Sequence, residues 1–197
     1  MINLEDYLYD RVKPVIETWN EDGIYAISFF VYSNSAYIYK NNSNVSEFSI
    51  SYNTEEDFKE AHATASSPNE ARWNYAFWRQ NTTYIIDPNE EGNEGMDILF
   101  QWYSENGVEN IGIYSNEDQY DENGLYIGKG PGGYYELLTV VSNVAKRLQV
   151  ENFIRDKFGT IPIIVHELEY IHLVESATRN ANPSGEADTF LKTLQTI

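Results

Sequence analysis

The chain has 197 residues, 42% of them apolar, with 16 Tyr, 9 Phe, 4 Trp and no cysteine. That length suits a single domain (1–197) with its own core, and the absence of cysteine excludes a disulfide framework and a thiolate metal site. Thirty-one acids against 13 bases leave a net charge of −18, which repels nucleic acid and anionic membranes and favours basic partners.

The acidic, amphipathic start, Met1-Ile2-Asn3-Leu4-Glu5-Asp6, is unlike a signal peptide, and no run of 18 apolar residues spells a membrane span. A cytoplasmic protein is the expectation. Leu4, Tyr7, Leu8, Val12, Val15, Ile16 and Trp19 recur at helical steps, with Pro14 placed to kink or end the helix. Residues 24–32 are β-branched and aromatic and predict a strand. Residues 36–40 are its expected antiparallel partner across the turn Ser33-Asn34-Ser35, and 45–52 a third strand. Asn53 or Thr54 should cap a helix reaching about residue 65, its first turn filled by Glu55, Glu56 and Asp57.

Residues 71–79 carry Trp73, Tyr75, Phe77 and Trp78 in alternation, which favours a strand, with a short helix as the other option. Such aromatic density is core, or a pocket formed by Trp73, Tyr75 and Trp78 with His166 and Glu169. Asn93 should cap a helix with Met96, Leu99, Phe100 and Tyr103 on one stripe, ended by Asn106-Gly107. Residues 108–114 read as a short strand or buried turn, and 115–123 as an exposed acidic loop. Gly128-Lys129-Gly130-Pro131-Gly132-Gly133 is a formal G-x-G-x-x-G, but no buried parallel strand precedes it, so the expectation is a glycine loop feeding the next helix rather than a nucleotide site. That helix has Tyr134, Leu137, Leu138, Val141, Val144, Ala145 and Leu148 on one face, and a shorter helix spans 150–158.

Residues 161–172 hold the purest apolar run and two of the three histidines, and predict a buried strand on which other elements pack. His166-Glu167-Leu168-Glu169-Tyr170-Ile171-His172 imitates a zinc-protease helix, but that site needs histidines four apart. Six residues place the rings on different faces of a helix, or about 20 Å apart on a strand, so no metal site is expected. Residues 175–183 read as a turn-rich connection before a last helix containing Ala187, Phe190, Leu191 and Leu194. The fold expected is α+β, a central, mostly antiparallel sheet flanked by helices.

The sharpest local signal is charge. Residues 80–128 contain no Lys, Arg or His, yet carry eleven acids, Glu90, Glu91, Glu94, Glu117, Asp118, Asp121 and Glu122 among them. The span is either a solvated face or a docking surface for a basic protein. Asp87, Asn89 and Glu91 before Gly92 echo a calcium loop, but Ile98 stands where its bidentate Glu is required.

Three segments together resemble the bacterial domain-of-unknown-function 4303 family: Asn53-Thr54-Glu55-Glu56, Arg72-Trp73 with Trp78, and Ile161-Pro162 through His166-Glu167-Leu168-Glu169-Tyr170 with Ala181-Asn182-Pro183. The resemblance implies an intracellular, single-domain α+β protein with no defined catalytic residues, similar to proteins that silence toxins exchanged between bacteria. No nucleophile motif, phosphate loop or cofactor signature is present. The expectation is therefore a non-enzymatic, immunity- or antitoxin-like protein whose acidic face binds a basic partner such as a toxin, with no cofactor. The alternatives are a small-ligand module built on the aromatic cluster, or a hydrolase using His166 with Glu169 as acid and base.

Overall fold

The computed structural model describes residues 1–115, 120, 122–123, 127–168 and 172–194. They form an α+β fold: a four-stranded mixed sheet, a small two-stranded sheet and eight α-helices.

Helix α1 (Leu4–Thr18) starts at Asn3, whose side chain accepts from the Asp6 amide, and buries Leu4, Leu8, Val12 and Ile16 along one stripe. It runs through Pro14 without ending. Proline removes the one hydrogen bond to the Asp10 carbonyl, and the buried stripe on both sides holds the helix together across the gap.

Strand β1 (Ile24–Ser33) pairs antiparallel not with residues 36–40 but with the later strand β4 (Ser46–Thr54), from Ser33 opposite Ser46 to Ile24 opposite Thr54. Residues between them fold into a private hairpin, β2 (Ile38–Tyr39) and β3 (Asn42–Ser43). Lys40 and Asn41 turn it with φ of 47° and 66°, the left-handed pair that a two-residue hairpin demands. The longer partner wins because it aligns Phe48 and Ile50 with the apolar face of β1.

Helix α2 (Glu55–Ala61) opens with a capping box between Thr54 and Asp57 and stops earlier than expected. Residues 71–79 are not a strand. Ser67 caps helix α3 (Pro68–Trp73), with Pro68 at the first helical position, and Asn74 then caps a single 3₁₀ turn, Tyr75–Phe77. Strand β5 (Thr83–Ile86), which no sequence pattern flagged, pairs antiparallel with β4. Helix α4 (Glu94–Glu105) begins at the Asn93 cap and packs Met96, Leu99 and Tyr103 inward, as its periodicity predicts. Helices α5 (Tyr134–Val150) and α6 (Phe153–Phe158) follow.

The glycine loop before α5 serves packing. A side chain on Gly132 would meet the Asn110 carbonyl oxygen at 2.2 Å, and Gly133 starts α5 at φ 90° with its own carbonyl receiving the Tyr103 hydroxyl at 2.8 Å.

The expected long strand 161–172 is short. Strand β6 (Ile163–His166) lies parallel to β1 at the sheet edge, in the order β5-β4-β1-β6, and His172 already belongs to helix α7 (His172–Ala181). Residues 175–181 are thus helical rather than turn-rich. Leu173, Val174, Ala177, Thr178 and Ala181 give that helix a buried stripe, which outweighs its weak helix formers. Helix α8 (Asp188–Thr193) is the last element among the described residues.

The free edge of β6 is closed by side chains of α7 and the residue after it. Asn182 accepts from the Ile163 amide at 2.9 Å and donates to the Ile163 carbonyl at 2.7 Å. Thr178 accepts from the Val165 amide and donates to the Val165 carbonyl, both at 3.0 Å. The two side chains replace the missing neighbour strand, which would otherwise leave a pairing edge open.

Both faces of the sheet are covered. Ile27, Phe29, Val31, Phe48, Ile50, Ile163 and Val165 point to a large apolar core shared with α1, α4 and α5. The opposite face meets α2, α3, the 3₁₀ turn and α8 through a smaller cluster that includes Tyr25, Trp73, Trp78 and Phe190.

Candidate functional site

The second face of the sheet is buried yet polar. Along β4, Glu47, Ser49, Ser51 and Asn53 alternate with Phe48, Ile50 and Tyr52, so period 2 places the four polar residues together. Directly opposite them on β1 stand Tyr32, Phe30, Ser28 and Ala26. Parallel β6 adds His166 beside Phe30. All four β4 residues, with Ser28 and His166, are at most 3% exposed.

An aromatic layer seals this floor. Tyr75 stacks on Phe30 with centroids 5.2 Å apart and meets the His166 ring edge-on at 4.7 Å, while Trp78 lies 6.3 Å from His166. A bulge between Ile24 and Ala26 turns Tyr25 to the same side. The Tyr25 hydroxyl accepts from Asn53 at 2.8 Å and donates to the Arg72 carbonyl at 2.7 Å, which also receives the Trp78 indole N–H at 2.9 Å. Burial pushes the Tyr25 hydroxyl up to about 12. Trp73 packs against Tyr25 and Phe190. Of the aromatic residues suggested by sequence, Tyr75 and Trp78 therefore join His166, and Trp73 is core. Glu169 lies outside the described residues.

His166 makes a defined pair. Its Nδ1 faces the Glu167 carbonyl oxygen at 2.9 Å, which can only accept, so Nδ1 carries the proton. Nε2 is then a bare acceptor, and the Ser28 hydroxyl donates to it at 2.8 Å. Burial lowers the imidazole to about 4, so the ring is neutral near pH 7. A serine hydroxyl on a neutral imidazole is the geometry of a nucleophile and its base. Here both residues are fully enclosed, and a peptide carbonyl stands where a triad carries its carboxylate. In this arrangement the pair fastens β6 to β1. His172, at the start of α7, takes no part.

Among the described residues, Ser51 Oγ and Glu47 Oε2 are buried on this face without a hydrogen-bond partner. Phe48 faces Ile86, the last residue of β5, and Asp87 follows at the end of that strand nearer Glu47. The Tyr37 hydroxyl lies against the same carboxyl. Burial raises the Glu47 carboxyl above its ordinary range, and Asp87 adds to the rise while Tyr37 opposes it. Sequence reasoning passed over this residue, because polar alternation on a strand normally marks a solvent face. The signal available was the aromatic density at 73–78, which needed a surface to cover.

The acidic span is only partly free of bases in space. Arg11 of α1 pairs with Glu94, and Lys40 bonds Asp97 at 2.7 Å. Glu90, Glu91 and Glu122 are exposed, and Glu90 accepts from the Asn93 side chain at 2.8 Å. Glu117, Asp118 and Asp121 lie outside the described residues. The same span exposes apolar side chains that composition alone hid: Ile113 62%, Tyr114 50%, Tyr120 65% and Ile127 46%. Ile113 and Tyr114 line a cleft of about 270 Å³ together with Glu109, Glu136 and Lys129. The Lys129 ammonium lies over the Tyr135 ring, 4.6 Å from its centroid.

Among the described residues, no group of three or more His, Cys, Asp or Glu is arranged to hold a metal ion, and no helix is long and apolar enough to cross a membrane. Comparison of the chain with models of known protein families, with curated proteins and with solved structures finds no match.

Proposed function

We propose that the chain is a non-enzymatic, cytoplasmic protein-binding domain, immunity- or antitoxin-like, whose acidic face docks a basic protein. The reading takes the resemblance to the domain-of-unknown-function 4303 family as part of the same proposal. One observation carries it: Ile113, Tyr114, Tyr120 and Ile127 are exposed within a span that contributes acids and no base of its own. An aromatic and aliphatic centre with a charged rim is the anatomy of a protein interface, and acids around it would steer a basic partner and speed its arrival. A solvating face alone has no use for four large apolar side chains held in water.

The test compares capture by two immobilised proteins at low salt. Wild type should retain a basic protein that a high-salt wash releases. A variant with Glu90→Gln, Glu91→Gln, Glu122→Gln and Tyr114→Ala should lose it. Equal capture by the variant, or binding indifferent to salt, would overturn the reading.

A further inference from the structure

Glu47 is a carboxylate buried on the polar face of the sheet. It is 3% exposed, and one carboxylate oxygen has no hydrogen-bond partner. A buried carboxylate is ordinarily paired with a cation or fully hydrogen-bonded. Here the charged neighbour is a second carboxylate, Asp87, one residue past the end of β5, and like charges so placed repel. The charged group acting on Glu47 is thus another acid, and its one helper is a tyrosine hydroxyl.

The surroundings describe what is missing. Tyr32 stands opposite Glu47 on β1, and the Tyr37 ring meets it edge-on with centroids 6.5 Å apart. Tyr84 on β5 stands opposite Ser49, two residues along β4 from Glu47 and so on the same face, and is half exposed, so the cluster reaches the surface there. Three tyrosines and two carboxylates make an environment for a cation that is flat and weakly hydrated. Aromatic faces beside carboxylates favour an organic cation over a strongly hydrated metal ion, which takes oxygen ligands and water instead.

We propose that Glu47 and Asp87, walled by Tyr32, Tyr37 and Tyr84, receive the guanidinium of an arginine side chain from the basic partner. The proposal rests on the docking role argued above and names its anchor. Guanidinium suits the site better than ammonium, because its fork can bond carboxylate oxygens in pairs and its plane can lie on a tyrosine ring. Position agrees as well. Asp87 opens the acidic span, and Asn44, just past the hairpin that follows Tyr37, donates to the Gly112 carbonyl at 2.9 Å. The hairpin thereby links the Glu47 cluster to the surface at Ile113 and Tyr114.

The experiment titrates wild type, Glu47→Gln, Asp87→Asn and the control Glu175→Gln with Nα-acetyl-arginine amide, with nona-arginine at low salt and with calcium chloride, following amide chemical shifts and melting temperature. Wild type and Glu175→Gln should bind the arginine amide saturably, with shifts around Tyr32, Tyr37 and Tyr84. Glu47→Gln should bind it at least tenfold more weakly while melting no lower than wild type, since an unpaired buried charge has been removed. Asp87→Asn should weaken it several-fold, and serves if Glu47→Gln fails to fold.

Unchanged affinity for the arginine amide in both variants would overturn the proposal, as would calcium raising the melting temperature of wild type but not of Glu47→Gln. Nona-arginine separates the two levels. If it binds wild type and Glu47→Gln alike, the docking role stands and the Glu47 anchor falls. If it fails to bind wild type at all, the docking role falls too.

Discussion

The two faces of the central sheet are buried to the same degree and built on opposite principles. One shows Ile27, Phe29, Val31, Phe48, Ile50, Ile163 and Val165 to the helices. The other shows Ser28, Glu47, Ser49, Ser51, Asn53 and His166 to a layer of aromatic rings. Strands alternate by necessity, so β4 hands Phe48 to one side and Glu47 to the other within a single residue step. What differs is the use of burial. The first face converts it into stability through apolar contact. The second covers hydroxyls, an imidazole and a carboxyl, two of whose atoms have no partner, and so carries a cost that apolar residues of similar size would avoid. A fold that bears this cost on one side only has a stable half and a half free to be specialised.

The largest break in that comparison should come from the apolar side. Phe48→Ala removes a fully buried ring that lies 5.4 Å from Phe29, and should cost about 3–5 kcal/mol, read as a lower denaturant midpoint with unchanged slope. A loss below about 1 kcal/mol would mean that the apolar face is not where the stability resides.

How much of this was legible in the sequence divides along the same line. Helices α1, α4 and α5 were plain, since their apolar residues repeat at helical spacing and Asn93 caps as such a residue does. Strand β1 was plain too, but its partner was not. Residues 36–40 are nearer in sequence, and only the left-handed Lys40-Asn41 turn reveals that they close on themselves. Helix α7 was missed because Ser176, Thr178 and Asn180 look like loop chemistry, whereas Thr178 spends its hydroxyl on the β6 edge and Asn180 bonds Ser142 at 2.9 Å. The polar face was invisible for a physical reason. Glu47-x-Ser49-x-Ser51-x-Asn53 is the pattern of a solvated strand, and nothing local tells that Tyr75 and Trp78 will cover it. His166 stood out by its position in the apolar run, but its partner Ser28 lies 138 residues away.

Acid should sharpen the comparison next, because the polar face titrates and the apolar face does not. His166 is held at about 4 when folded, against about 6.5 for an exposed histidine. Between those values the unfolded chain binds the proton and the folded chain does not, so stability falls as pH falls through that window. At about 1.4 kcal/mol per pH unit the full gap corresponds to about 3 kcal/mol, complete only near pH 4. Glu47, whose carboxyl is raised, acts in the opposite sense and becomes easier to bury as it protonates. Chemical denaturation from pH 7 to pH 4 in wild type and in His166→Gln should show the histidine-dependent slope in wild type alone. Parallel profiles would place His166 in contact with water.

The finest distinction is between two serines that face each other. Ser28 and Ser51 are direct cross-strand partners, both buried on the polar side. The Ser28 hydroxyl donates to His166 Nε2, and Ser51 Oγ has no partner. Ser28→Ala leaves a buried imidazole nitrogen without its donor and should cost about 1–3 kcal/mol. Ser51→Ala removes an oxygen whose burial nothing offsets, and should be neutral or stabilising by up to about 1 kcal/mol. The substitution is the same at both sites, and neither alanine leaves a cavity larger than one oxygen, so packing cannot account for a difference. Equal effects in thermal melts would mean that the Ser28–His166 bond adds nothing to the fold. Opposite signs would establish that the polar face is held by its hydrogen bonds and that Ser51 is retained at a cost to stability.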